Sequence, residues 1–351
     1  MIFDKRTEYK PFEYPEVQRF IDNMNRTFWV HSEVDFSDDI QDFKTLLTDE
    51  EREVIKRSLL AIAQVEVTVK TFWGKLYEFL PKPEFNDLGA TFSESECRHS
   101  SAYARLLEVV GLEEEFKKLL DIPVFRRKLE LTEEHLSSQQ DFIHKLFFFT
   151  IVIENSSLFS QFANMVAFSH FKGILKNTAN MVSWSSVDEQ CHADAGVYII
   201  NKIFAEYPEM RLSTEEVERM VRHYLAYEEE LLTWIYEPGE LEFYSAKDML
   251  SFMKYRVDNA LTQMGYDKVY NISTEEYLPM QWFDEYVYAN DLDDFFAKRP
   301  TACRLTAENG RWAAALPCRA NLRRLPWAGR NTIWAVMPCG TPRCITNRTT
   351  A

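Results

Sequence analysis

Two short phrases constrain this chain more than anything else in it: Glu96-Cys97-Arg98-His99 and Glu189-Gln190-Cys191-His192. Each reads Glu-x-x-His. Residues three apart share a helix face, so on a helix each phrase aims one carboxylate and one imidazole at the same point. A single such phrase in an acidic helical protein is ordinarily a solvated pair. These two lie among apolar residues, Ala90, Phe92 and Ala102 around the first and Met181, Val182, Trp184 and Val187 before the second. Burying charge there without a counter-charge would be costly.

Two further carboxylates, Glu66 and Glu154, stand alone in apolar runs, each one helix upstream of a phrase. The order is helix with Glu, helix with Glu-x-x-His, and then the same again. Four carboxylates and two imidazoles from four helices are the ligand set of a dinuclear metal site in a four-helix core. The expected fold is therefore all-α, a ferritin-like bundle. Oxygen and imidazole donors suit Mn(II) and Fe(II), whereas thiolates would turn the site towards zinc, copper or iron–sulfur chemistry. Cys97 and Cys191 should point away from the ligand face.

Tyr103 lies four residues after His99 and seven after Glu96, hence on the same face. Alone it would be a packing residue; beside an oxidising dimetal centre it is a candidate one-electron donor. Lys70, one turn after Glu66, is expected to face the site too. It would form a salt bridge to a ligand carboxylate, or supply a positive charge where an anionic oxidant enters.

Spacing predicts a helix over 15–30, then an acidic loop with a short helix over 31–43. Thr48-Asp49-Glu50-Glu51 is a capping box that opens a helix running to Leu80, stopped by Pro81 and Pro83. Further helices are expected over 84–110 (ending at Gly111), in 112–135 with a break near Pro123, over 137–171, over 177–206 and, from boxes at Ser213 and Ser245, to about Tyr236 and Gly265. Residues 266–300 read as irregular, and strand signals are nearly absent.

A hydrophobic share of 46% with 26 Phe supports a large core. The formal charge of -15 argues against a general binder of nucleic acid or anionic membrane. No apolar run is long and uninterrupted enough to span a bilayer, and the N-terminus has no signal-peptide core, so a cytoplasmic protein is expected. The average hides a break. From Thr301 onward there are eight Arg, no Lys or Asp, and one Glu, a net of about +7, which leaves about -22 on the first 300 residues. Four of the six Cys lie in this tail, and no disulfide framework is read from them. Two regions are expected: 1–300, a ferritin-like domain, and 301–351, a basic tail, disordered or non-native, derived from a frameshift or read-through.

Over about residues 8–300 the chain resembles the small, radical-generating subunit of class I ribonucleotide reductase. Phe92-Ser93-Glu94-x-Glu96-x-x-His99-x-x-x-Tyr103 is similar to that family's first ligand and radical-tyrosine motif, and Asp188-Glu189-x-x-His192 to its second. Phe28-Trp29 followed by Glu33-Val34-Asp35 resembles its tryptophan motif. The resemblance implies Glu66, Glu96, His99, Glu154, Glu189 and His192 as ligands, and a path from the large subunit to the metals through Trp29, Asp188 and His99. It makes Phe162 part of the apolar wall on the oxygen-binding side. Glu66 stands where the best-known di-iron members carry Asp. With Lys70 and Tyr103 it makes the chain most similar to the dimanganese subgroup, class Id. There superoxide activates the metals, a Mn(IV)/Mn(III) state stores the oxidising equivalent, and the tyrosine is not the stable radical. Two manganese ions are thus expected, with two iron ions, and oxygen as oxidant, as the alternative.

The resemblance further implies a homodimer that works with a large (alpha) subunit, as half of a ribonucleoside-diphosphate reductase serving deoxyribonucleotide synthesis. The tail departs from the family, which ends in a pathway tyrosine and an acidic-apolar docking terminus, so weak binding to a large subunit is expected. Two rivals share the metal reading: a stand-alone ferritin-like dimetal oxidase, which has no need of Trp29 and Asp188, and a non-enzymatic metal-storage bundle.

Overall fold

Helix boundaries follow local chemistry through most of the chain. The computed structural model describes residues 1–133, 136–292, 307–308 and 311–312. Its first helices are α1 (Val17–Arg26), α2 (Ser37–Thr45) and α3 (Asp49–Val65). α1 is shorter than expected, so Phe28 and Trp29 lie beyond its end. α3 opens on the expected capping box: Thr48 accepts from the Glu51 backbone, and the Glu51 carboxylate accepts from Thr48.

The helix expected to continue to Leu80 does not. It breaks after Val65 and resumes as α4 (Val69–Gly74) and α5 (Leu76–Phe79). The break falls in the β-branched stretch Val65-Glu66-Val67-Thr68-Val69, where the Thr68 hydroxyl donates to the Val65 carbonyl at 3.1 Å. Such side-chain bonds offer the backbone an alternative to the helical ladder. Glu66 therefore stands at a turn between two helices rather than within one.

α6 (Pro83–Val110) ends at Gly111 as expected. The short α7 (Glu113–Lys117) and α8 (Pro123–Glu133) follow. Next comes one continuous apolar run: α9 (Gln139–Phe147), a π-helical segment (Phe148–Ser157) and α10 (Leu158–Lys172). The π segment was not foreseen. Gly196 of α11 (Lys176–Glu206) lies directly against it: a Cβ there would stand 2.1 Å from Thr150 Oγ1, so the close approach requires glycine. By length and hydropathy Gln139–Lys172 is able to cross a membrane, contrary to the expectation that no such run exists. Its most apolar stretch is wholly buried in the protein, as befits the central helix of a bundle.

α12 (Thr214–Tyr236) and α13 (Ala246–Gln263) complete the large helices. Ser245 and Asp248 cap α13 reciprocally. Ser213 caps α12, while its N3 residue Glu216 turns to His144 at 2.9 Å. Residues 266–300 were expected to be irregular, yet α14 (Thr274–Tyr277) and α15 (Gln281–Leu292) form there, with Ser273 and Glu276 making a further capping box. The core elements pack α10 on α11 and α3, α4 on α6, and the π segment on α11 and α13.

The chain divides into two units, Met1–Pro300 and Thr301–Ala351. In the second, Ala307–Glu308 pairs antiparallel with Arg311–Trp312. The expectations of disorder and non-native origin for 301–351 otherwise lie outside the described residues. The first unit has the all-α, ferritin-like architecture.

Candidate metal centre

The turn after α3, the middle of α6, the π segment and the middle of α11 converge at the centre of the bundle. They bring together all six expected donors: Glu66, Glu96, His99, Glu154, Glu189 and His192 are each no more than 1% exposed. The donors fall into two groups of four, Glu66, Glu96, His99 and Glu189 in one and Glu96, Glu154, Glu189 and His192 in the other, with the donor atoms of each within 4.8 Å of one another. Glu96 and Glu189 belong to both. Glu96 turns Oε2 to His99 Nδ1 (3.3 Å) and Oε1 to His192 Nδ1 (3.1 Å). Glu189 likewise turns Oε1 to His99 Nδ1 and Oε2 to His192 Nδ1, both at 2.9 Å. Glu66 reaches only the His99 side (3.9 Å) and Glu154 only the His192 side (3.7 Å). Two carboxylates thus reach both imidazoles and two reach one each, with the imidazoles at opposite ends of the cluster.

Each imidazole is held from behind. His99 Nε2 lies 3.0 Å from Asp188 Oδ2, and His192 Nε2 lies 3.0 Å from Ser95 Oγ. Ser95 donates its own hydroxyl to the Phe92 carbonyl at 2.8 Å, so it accepts from His192. A proton on Nε2 leaves the Nδ1 lone pair facing the carboxylates, the tautomer a metal ligand needs. Trp73 Nε1 donates to Glu154 Oε1 at 2.8 Å.

The electrostatics of this cluster fit a cation-binding role. Among the described residues, both Glu66 oxygens, both Glu96 oxygens, Glu154 Oε2, Glu189 Oε1 and His99 Nδ1 are buried with no well-aligned hydrogen bond, close as some of them lie to one another. Burial, then the neighbouring Glu96, pushes the Glu66 pKa well above the usual carboxylate range, and burial with Glu189 does the same to Glu154. Burial also opposes ionisation of Glu189 and Glu96, but the imidazoles outweigh it and both stay below the usual range. Burial disfavours the imidazolium of His99 and His192, yet Glu189 and the other acceptors raise both well above normal. Without a cation the cluster can approach neutrality only by holding protons. Four carboxylates and two neutral imidazoles carry the charge that two divalent cations would balance, and oxygen-rich sets of this kind fit Mn(II) or Fe(II).

On the side of His99 a second chain of contacts runs outward. Asp188 Oδ2 accepts from Trp29 Nε1 at 2.9 Å, and the Trp29 ring stacks on His99 with centroids 5.6 Å apart and planes 19° apart. Thr27 donates to the other Asp188 oxygen at 3.3 Å. Arg98 lies 3.5 Å from Asp188, donates to the Trp29 carbonyl at 3.2 Å, and covers Phe28.

Tyr103 is fully buried; among the described residues its hydroxyl makes no hydrogen bond of good geometry, and Ser185 is its polar neighbour. Burial, then Glu66, raises its pKa well above normal, with Glu189 and Glu96 adding to the effect. Lys70 does not meet a site carboxylate. Its ammonium donates to Ser100 Oγ at 2.6 Å, and Ser100 donates to the Glu66 main-chain carbonyl at 2.9 Å. The break at Glu66 turns α4 and redirects Lys70. Phe162 is buried on α10, tilted against Phe159 at 5.9 Å. Phe92 and Trp73, at 4.2 and 5.8 Å from the His192 ring, are the apolar neighbours of that end. Cys97 is exposed, and Cys191 donates to the Phe20 carbonyl at 3.7 Å, so both point away from the cluster.

Sequence reasoning missed Trp73, Ser95, Arg98 and Thr27. Ser95 precedes His99 by one helical turn, and Arg98 lies inside the first phrase, so both were within reach of helix arithmetic. Trp73 belongs to an apolar run that reads as core, and nothing in it marks an indole aimed at Glu154.

The family described as ribonucleotide reductase, small chain, matches residues 6–277. The chain is 26% identical over 349 residues to the "Probable ribonucleoside-diphosphate reductase small subunit" of Invertebrate iridescent virus 6, covering 88% of this chain and 96% of that one. Its fold is similar to the ribonucleotide reductase R2 subunit from Clostridium botulinum (TM-score 0.72, 18% identity, 80% of this chain and 91% of that chain). It is also similar to the dimanganese(II)-NrdF of Streptococcus sanguinis (TM-score 0.69, 16% identity, 80% and 99%).

Proposed function

The chain belongs to the ribonucleotide reductase small-chain family, and on that premise we propose that it is the radical-generating small subunit of a ribonucleoside-diphosphate reductase. Glu66, Glu96, His99, Glu154, Glu189 and His192 would hold two metal ions, Glu96 and Glu189 being the residues common to both donor groups. Bound there, redox-active metals supply the one-electron oxidant that a large subunit needs to start reduction of a ribonucleotide to a deoxyribonucleotide.

The observation that carries the relay is the unbroken hydrogen-bonded line from His99 through Asp188 to Trp29. Asp188 holds both rings with one oxygen. When an electron passes from Trp29 towards the centre, Asp188 Oδ2 is in place to hold the indole proton. A stand-alone oxidase or a storage bundle has no use for such a line, which favours the reductase reading over both.

Manganese is the metal of this proposal. It is supported by Glu66 at the first ligand position and by the Lys70 charge one hydroxyl away from the Glu66 backbone. Superoxide would be the activator, with iron and oxygen the alternative pair. Tyr103 then packs against the centre without storing the radical, and Phe162 belongs to the surrounding apolar wall. The working assembly is a homodimer joined by a large subunit in the cytoplasm. In this reading residues 1–300 are the reductase domain and 301–351 a basic tail of frameshift or read-through origin.

Two substitutions test the reading. Trp29→Phe should keep two metals per chain and lose deoxyribonucleotide formation with saturating large subunit; retained formation would refute the relay. Tyr103→Phe should keep activity with manganese, and loss of activity would move the stored oxidant to the tyrosine.

A further inference from the structure

One buried cation behind the centre has no part in the relay or the ligand set. Arg256 of α13 is 7% exposed, and its guanidinium lies 3.6 Å from the Phe159 ring centroid, shielded from water. Its Nε donates to the main-chain carbonyl of Asn155, and Nη2 to Asn155 Oδ1 at 3.3 Å and Gln190 Oε1 at 2.8 Å. Asn155 returns a bond from Nδ2 to the Arg256 carbonyl at 2.8 Å. Nη1 pairs with Asp284 Oδ1 of α15 at 2.8 Å, and Asp284 Oδ2 accepts from Tyr277 of α14 at 2.6 Å.

The positions of these partners matter. Asn155 directly follows Glu154, and Gln190 directly follows Glu189. A single planar guanidinium therefore grips the residues next to two of the four carboxylates, on two different elements. One of them is the π segment, whose ladder differs from that of an α-helix and is rare outside functional sites. Lysine has three donors at one point and cannot reproduce a planar fork that spans these acceptors.

We propose that Arg256 is a positioning residue for the metal centre, setting Glu154 against Glu189, and that its ion pair with Asp284 couples the C-terminal helices α14 and α15 to the geometry of that centre. The inference rests on the metal centre proposed above. It gives the C-terminal end of the domain, where the acidic partner of Arg256 is 14% exposed, a physical route to the ligands that does not pass through the Trp29 relay. Whatever shifts Asp284 changes how firmly Arg256 holds the π segment.

The test is Mn(II) titration of the full chain followed by electron paramagnetic resonance, which separates free from bound ion, on wild type, Arg256→Gln, Arg256→Lys and Asp284→Asn. Loss of a group bonded directly to a metal ligand typically weakens binding by about 10–100-fold, and Arg256 acts one residue removed from two such ligands. Arg256→Gln should fall at the lower end of that range, about 10-fold, Arg256→Lys should recover less than half of the loss on a logarithmic scale, and Asp284→Asn should weaken binding measurably but less than Arg256→Gln. Circular dichroism establishes that each variant is folded. Should Arg256→Gln not fold, Asp284→Asn, at a more accessible position, carries the test. Two ions bound with wild-type affinity by folded Arg256→Gln, or full rescue by lysine, would overturn the positioning role. Wild-type affinity in Asp284→Asn would overturn the coupling. A wild-type chain that binds no metal would instead remove the metal-centre reading, so the two failures are distinct.

Discussion

Replacing Trp73 with Phe should weaken one metal site of the pair and spare the other. The indole of Trp73 is fully buried and donates to Glu154 Oε1 at 2.8 Å. Phe keeps most of the ring volume against Phe92 and His192 but removes the donor. A hydrogen bond to a charged acceptor contributes about 1.5–3 kcal/mol. At about 1.4 kcal/mol per factor of ten, the loss corresponds to roughly 10–100-fold in affinity, the same range found when a ligand loses its outer partner. Glu154 belongs only to the group with Glu96, Glu189 and His192; the group with Glu66 and His99 keeps its full set. A Mn(II) titration read by electron paramagnetic resonance should therefore become two-phased, with one ion bound as in wild type and one bound about 10–100-fold more weakly. Equal weakening of both ions, or none, would refute the assignment of Glu154 as a terminal ligand oriented by Trp73.

Other outcomes follow from the same geometry. Ser95→Ala removes the acceptor that holds the His192 proton on Nε2 and should weaken the same site, by about 10-fold, with the His99 side unchanged in the titration. In the metal-free protein the raised pKa values of Glu66, Glu154, His99 and His192 make a protonated cluster the stable one. Their contribution is full below the unfolded values, near 4.5 for the carboxyls and 6.5 for the imidazoles, and is lost as pH rises through the folded ones, so the metal-free protein should melt lower at pH 8 than at pH 6. Saturating metal replaces those protons and should abolish or reverse that slope in a calorimetric comparison. Cutting after Pro300 should leave metal stoichiometry and melting temperature unchanged, and a loss of either would show that the tail supports the domain.

The gathering of the six donors was legible because helical spacing is rigid: Glu96 and His99, and Glu189 and His192, must share a face wherever those helices form. The long helices were legible for the same reason, with capping boxes at Thr48 and Ser245 fixing their starts. Two local departures were not. The helix break at Glu66 arises from competition between β-branched side chains and the helical ladder, and periodicity continues across it, so the prediction ran on to Leu80 and placed Lys70 over the site. The π segment around Glu154 lies where Thr150 meets Gly196 of another helix, a tertiary contact with no local signature. α14 carries a readable signal, the capping box Ser273-Thr274-Glu275-Glu276, missed in reading 266–300 as irregular, whereas α15 is tied to the bundle by a contact, Arg256 with Asp284, that no window of sequence contains. The supports behind the ligands, Trp73 and Ser95, are ordinary core and helix residues until the fold aims them.

The most direct measurement is metal content with electron paramagnetic resonance after loading with Mn(II) or Fe(II) and exposure to superoxide or oxygen. The account predicts two manganese ions per chain and, with superoxide, a multiline mixed-valent signal that persists in Tyr103→Phe. A narrow tyrosyl signal with two iron ions would contradict the manganese assignment, and no bound metal under either condition would contradict the centre itself.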